Sequence, residues 1–172
     1  MQVELIMIAF LPIVLAVVLL LVGAAWDLLR RRVPNAVSGG VLLAGIGAQF
    51  AKGPREAALA ILAGFLVGIV LSLLWAARLV GGGDVKLAVA AAVCVGWFRV
   101  PVYLLATALA GGVASLVCYF ASSPEARSRV RSNLTAVALG LGSVGVSPDR
   151  KMVPVPYGVA IAAGALTVLW RS

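Results

Sequence analysis

The chain has 172 residues, of which 63% are hydrophobic and 12% charged, and its mean hydropathy is +1.12. That balance excludes an ordinary soluble globular domain and leaves room for about six membrane spans of ~20 residues each. The net charge of +8 gives no reason to expect a nucleic acid, because basic residues gather in the cytoplasmic loops of membrane proteins as a matter of topology.

Inside lipid every backbone polar group needs an internal partner, so the spans are read as helices and the fold class as all-α, a polytopic integral membrane protein with about six transmembrane helices. Leu5 to Ala25 forms the first span; it lacks the basic start of a secretory signal. It gives way to Trp26-Asp27, then Arg30-Arg31-Arg32, then Val33-Pro34-Asn35, where Pro34 resets the chain. Ala36 to Ala51 is a short, glycine-rich second span, and Lys52 to Glu56 a tight turn on the opposite side. The third span, Ala57 to Leu79, delivers the chain to Gly81-Gly82-Gly83-Asp84-Val85-Lys86. A fourth begins near Asp84 and ends around Trp97-Phe98-Arg99, and a fifth covers Val100 to Ala121. Ser122 to Pro154 is the longest polar interruption. Within it, Leu134 to Val146 is apolar but only 13 residues long, which suits an interfacial or re-entrant piece better than a span. The last span runs from Pro156 to Trp170. No linker separates domains, so the expectation is a single domain over residues 1–172 with a cytoplasmic loop at about 122–154.

The loops after the first, third and fifth spans hold ten basic residues: Arg30, Arg31, Arg32, Arg78, Lys86, Arg127, Arg129, Arg131, Arg150 and Lys151. The other side holds four: Lys52, Arg55, Arg99 and Arg171. That asymmetry places both termini outside and the richer loops in the cytoplasm. Asp27 and Asp84 then fall on the same, cytoplasmic face.

Of the six acidic residues, only Asp27 and Asp84 end or begin a membrane helix on that face. A carboxylate at the edge of a bilayer core is costly to keep charged, and a glycine run beside it lets the backbone bend sharply and approach a substrate. Each residue has a plainer role to set against this: Asp84 as the N-cap of the next helix, and Asp27 as a partner of Arg30 or Arg31 one turn on. The pair on one face favours chemistry. Two carboxylates in a poorly hydrated site tend to share a proton, so one acts as base on a water while the other polarises a carbonyl. That arrangement needs no Ser, His or metal. His is absent, and Cys94 and Cys118 lie in apolar runs without a partner at ligand spacing, so neither a metal nor a cofactor is expected.

Trp26-Asp27, the three arginines and Val33-Pro34-Asn35 resemble the first aspartate motif of the prepilin peptidases, membrane aspartic proteases of the Gly-x-Gly-Asp type. Gly81 to Lys86 is similar to the family's Gly-x-Gly-Asp motif with its following Val-Lys, and Pro156-Tyr157-Gly158 resembles its C-terminal Pro-x-Gly element. The resemblance implies Asp27 and Asp84 as the catalytic pair, with Gly81, Gly83, Lys86, Pro34 and Asn35 as motif residues that position substrate. It implies an endopeptidase of a prokaryotic inner membrane, cutting type IV prepilin or pseudopilin precursors on the cytoplasmic side after a short basic leader. Longer members carry a cytoplasmic insert, often with paired cysteines, and an N-methyltransferase activity. This chain has neither the insert nor a Cys-x-x-Cys, which makes it similar to the short, peptidase-only forms of tight-adherence (Flp-type) pili or archaeal flagellins.

Two other classes use the same residues. A proton- or cation-coupled transporter would relay protons through the Asp pair, though it would want carboxylates near the midplane. A non-catalytic subunit of a secretion machine would keep the motif as a relic. Among the remaining motifs, Gly64 and Gly68 form a small-xxx-small pair that favours close helix packing.

Overall fold

The computed structural model describes residues 2–30, 32–77, 79–125, 127, 128, 131, 135 and 157–170. Their regular structure is helical. α1 spans Gln2–Arg30, α2 Asn35–Lys52, α3 Pro54–Ala76, α4 Gly82–Val95, α5 Val100–Ala121 and α6 Tyr157–Leu169, with a 3-10 turn at Trp97–Arg99 between α4 and α5. The expected order of helices is thus recovered, and the boundaries shift where local chemistry demands it. α1 runs past Ala25 to Arg30, because nothing in Trp26 to Arg30 breaks a helix before the segment that leads to Pro34. Asp27 therefore lies within the last turn rather than beyond it. The expected turn at Lys52 to Glu56 contracts to Gly53, whose φ of 138° favours glycine, with Pro54 starting α3 directly.

Among the described residues, three segments are long and apolar enough to cross a membrane: Leu11–Arg30, Pro54–Ala76 and Trp97–Ala121. Large side chains such as Leu15, Leu21, Phe65, Ile69 and Leu73 stand exposed on α1 and α3, as lipid-facing surfaces require. α4 is different from the equal span expected of it. Its 14 residues rise only ~21 Å at 1.5 Å each, against a hydrocarbon core of ~30 Å. Leu87, Ala88 and every residue from Ala90 to Val95 are buried, and α2, α3, α6 and α1 all pack against the helix. A helix enclosed by protein has no lipid thickness to match.

Small residues make that enclosure tight. A Cβ at Gly45 of α2 would stand 2.9 Å from the Cys94 backbone nitrogen, and one at Gly64 of α3 would stand 2.5 Å from a Val93 methyl. Gly64 and Gly68 do face α4, the latter at 3.4 Å from Val89, so the small-xxx-small pair is a packing device. Polar groups close the buried end of α4. Gly96, with φ 84°, donates its N–H to Ala92 O, and the fully enclosed Gln49 donates Nε2 to Val93 O at 3.3 Å and to Cys94 O at 2.8 Å. Cys94 Sγ donates to Val41 O, and Tyr103 OH to Ala88 O.

These features belong to one compact unit, residues 1–111 with 156–172; residues 112–155 form a second. In the second, the Arg127 guanidinium donates to the carbonyl oxygens of Phe120 and Ser122, covering the last turn of α5. The piece expected at Leu134 to Val146 lies, Thr135 apart, outside the described residues.

Candidate active site

Asp27 is 6% exposed, a buried carboxylate. It reaches the interior because α1 presents Ala16, Leu20 and Asp27 inward while Leu28, Leu29 and Trp26 stand outward, a helical periodicity of three to four. Its Oδ2 accepts the backbone N–H of Gly158, in the first turn of α6, at 2.8 Å. Arg30 does not take the pairing role open to it in the sequence; its guanidinium lies over the Trp26 ring, 5.1 Å from the centroid. Arg31 lies outside the described residues.

Asp84 is not an N-cap. Gly81 holds that place, and Asp84 is the third residue of α4, half-buried. Its carboxylate folds back over the glycine run, so that a Cβ at Gly81 would sit 2.9 Å from Oδ2. Asp27, in the last turn of α1, and Asp84, in the first turn of α4, stand on two helices that pack against each other.

The other motif residues gather at the same end. A Cβ at Gly83 would sit 3.7 Å from the Val33 backbone nitrogen and 3.8 Å from its carbonyl oxygen, an ordinary contact, and Val33 is itself buried. The link between α1 and α2 thus packs on the first turn of α4 with room for a small side chain at this position. Pro34 caps α2, its carbonyl oxygen accepting Val37 N–H at 3.0 Å. Asn35, the first residue of α2, accepts from Lys86 Nζ at 3.0 Å through Oδ1. Lys86 is thereby a tie between the α1–α2 link and α4, a role its sequence position alone does not reveal. Trp26, Arg30, Arg32, Val33, Pro34 and Asn35 line a cleft of about 580 Å³ at the α1–α2 link.

A family model for type IV leader peptidases matches residues 13–116, more than half of the chain. The chain belongs to the type IV leader peptidase family. Neither a curated relative nor a solved structure matches it. Membership makes it a peptidase by family and agrees with the membrane helices of the fold. The matched stretch contains Asp27, Pro34, Asn35, Gly81, Gly83, Asp84 and Lys86; α6 lies beyond it. Gly158 is the site neighbour that the reading of the sequence left without a role. The signal was present in Pro156-Tyr157-Gly158, but nothing local says that this turn meets a carboxylate 131 positions earlier.

Among the described residues no three His, Cys, Asp or Glu side chains come together in a metal-binding group. What the arrangement offers instead is two carboxyl groups on separate helices at one end of the bundle. The cleft at the α1–α2 link has walls of arginine, tryptophan, valine, proline and asparagine.

Proposed function

We propose that this protein is a membrane-embedded aspartic endopeptidase that removes the short basic leader from type IV pilin-like, Flp-type precursors at the cytoplasmic face of a prokaryotic inner membrane. Asp27 and Asp84 are its catalytic pair. The observation that supports the reading is the placement of these two carboxyl groups, Asp27 buried in the last turn of α1 and Asp84 half-buried in the first turn of α4, which Lys86 ties to Asn35 just after α1, in a chain of the leader peptidase family.

The chemistry follows from the pair. The ionised carboxyl takes a proton from a water whose oxygen attacks the scissile carbonyl carbon, while the protonated carboxyl gives its proton to the carbonyl oxygen. The tetrahedral diol then collapses. The first carboxyl passes its proton to the amide nitrogen as the C–N bond breaks, and a diol hydroxyl returns a proton to the second. Both carboxyls end as they began, so no metal or cofactor is consumed. Gly81 keeps a side chain off the Asp84 carboxylate, and the Lys86 to Asn35 bond holds the first turn of α4 against the start of α2.

The test is cleavage of a Flp-type precursor by the protein in detergent or liposomes. Asp27→Asn and Asp84→Asn should each remove cleavage almost completely while the protein stays folded, and the double variant should be little worse than either, because groups acting as one unit are not additive. Full activity in either single variant refutes the aspartic mechanism.

A further inference from the structure

Asp27 is held by a helix that the matched family region does not include. The Gly158 N–H is a buried donor on Oδ2 at 2.8 Å, in the first turn of α6, where the amides have no partner within their own helix. Among the described residues no other hydrogen bond to Asp27 is present, so Oδ1 is left as the oxygen that can exchange a proton with water. The approach is backbone to carboxylate with nothing between. A Cβ at residue 158 would sit 2.8 Å from Oδ2, 2.9 Å from the Asp27 Cβ and 3.0 Å from Cγ. Glycine is needed here for proximity, since its helical backbone is open to any residue. Elsewhere α6 is fastened by similar close fits. A Cβ at Gly164 would stand 2.8 Å from the Thr107 backbone nitrogen, so the helix that carries the amide is packed tightly against α5 further along.

We propose that Gly158 is a positioning residue of the active site: its backbone N–H, presented by α6, fixes the orientation of the Asp27 carboxylate so that one oxygen is anchored and the other is free for proton transfer. The inference rests on the aspartic reading above and deepens it. A buried carboxylate without this bond rotates about χ2, a broad torsion, and spends part of its time with neither oxygen aimed at the water. Misplacement of a reacting group by about 1 Å can cost on the order of 100-fold in rate, so a loss of about 10- to 100-fold in kcat is expected with KM for the precursor nearly unchanged.

Side-chain substitution is a blunt test, because Gly158→Ala keeps the N–H while pushing Asp27 aside. The cleaner perturbation replaces the amide linking Tyr157 to residue 158 by an ester, through incorporation of glycolic acid at 158 in the full chain. The donor is lost and no atom is added. The same exchange at Val159, the next amide of the turn, is the control. Two readouts are taken: kcat and KM for precursor cleavage, and the infrared carboxylate bands of protein labelled with carbon-13 aspartate, with Asp27→Asn to assign the Asp27 band. The expected result is a shifted Asp27 band and a fall of kcat at 158, with neither at 159. An unmoved band overturns the proposal even if no precursor is cleaved at all, which is the separate failure of the aspartic reading. A shifted band with unchanged kcat overturns it too, as do equal effects at 158 and 159. A rise in KM with kcat intact would mean that α6 serves binding instead, and would also overturn it.

Discussion

Replacing Gln49 by Met should weaken the fold without touching the chemistry. Gln49 lies in the last turns of α2, fully enclosed, and its amide supplies donors to two carbonyls at the C-terminal end of α4. Those carbonyls belong to the turn that helix geometry leaves without intrahelical donors, and the site is shut off from water. Met has nearly the same volume and reach but cannot donate. Two hydrogen bonds inside a membrane protein are worth about 0.6–1 kcal/mol each, and each carbonyl left dry adds about 1–3 kcal/mol. Relief from burying an amide offsets part of that sum, so the net loss should be about 2–4 kcal/mol. The site is far away, since the 14 residue steps from Asn35 to Gln49 correspond to ~21 Å of helix. The assay is equilibrium unfolding in mixed micelles, alongside kcat for precursor cleavage measured well below the midpoint. A stability change under about 0.5 kcal/mol would refute the argument that Gln49 is the cap of α4. So would a large fall in kcat at unchanged stability, which would place Gln49 in the reaction path.

Four further outcomes are expected. A reporter fused after Arg131 should read cytoplasmic and one after Arg55 external, from the split of basic residues; reversed readings at both would put the aspartates on the wrong side for a leader peptidase. Purified protein supplied with S-adenosylmethionine should cleave precursor and leave the new N-terminus unmethylated by mass spectrometry, with chelators causing no loss of activity; a methylated product contradicts the peptidase-only reading. With Asp27→Cys and Asp84→Cys in a Cys94→Ala, Cys118→Ala background, a short bifunctional reagent should join residues 27 and 84, seen as a shifted band after proteolysis between them. Gly45→Ala should destabilise by about 1–3 kcal/mol through overpacking, because its Cβ would meet the Cys94 backbone, and a neutral effect in the same micelle assay would show that α2 and α4 separate freely.

Much of this protein is written locally. The apolar runs, Pro34, Gly53-Pro54 and the glycine run each act on their own few residues, so the order of helices and most of their ends follow from the chain directly. The candidate pair was legible for a related reason: carboxylates at the ends of membrane helices are costly wherever the rest of the chain goes. Other features depend on what meets what. Nothing in Gly82 to Val95 announces that α4 is the enclosed helix and too short to cross the bilayer alone. That is decided by Gly45, Gly64 and Gln49 on two neighbours. Lys86 is only a motif residue until Asn35 is found at 3.0 Å, and Arg30 reads as a partner for Asp27 until it is found on Trp26. Gly158 is the extreme case, since its N–H could serve any acceptor. Only the packing of α6 against α1 delivers it to Asp27, and contacts of that kind are set by helix-to-helix proximity rather than by any residue's own preference.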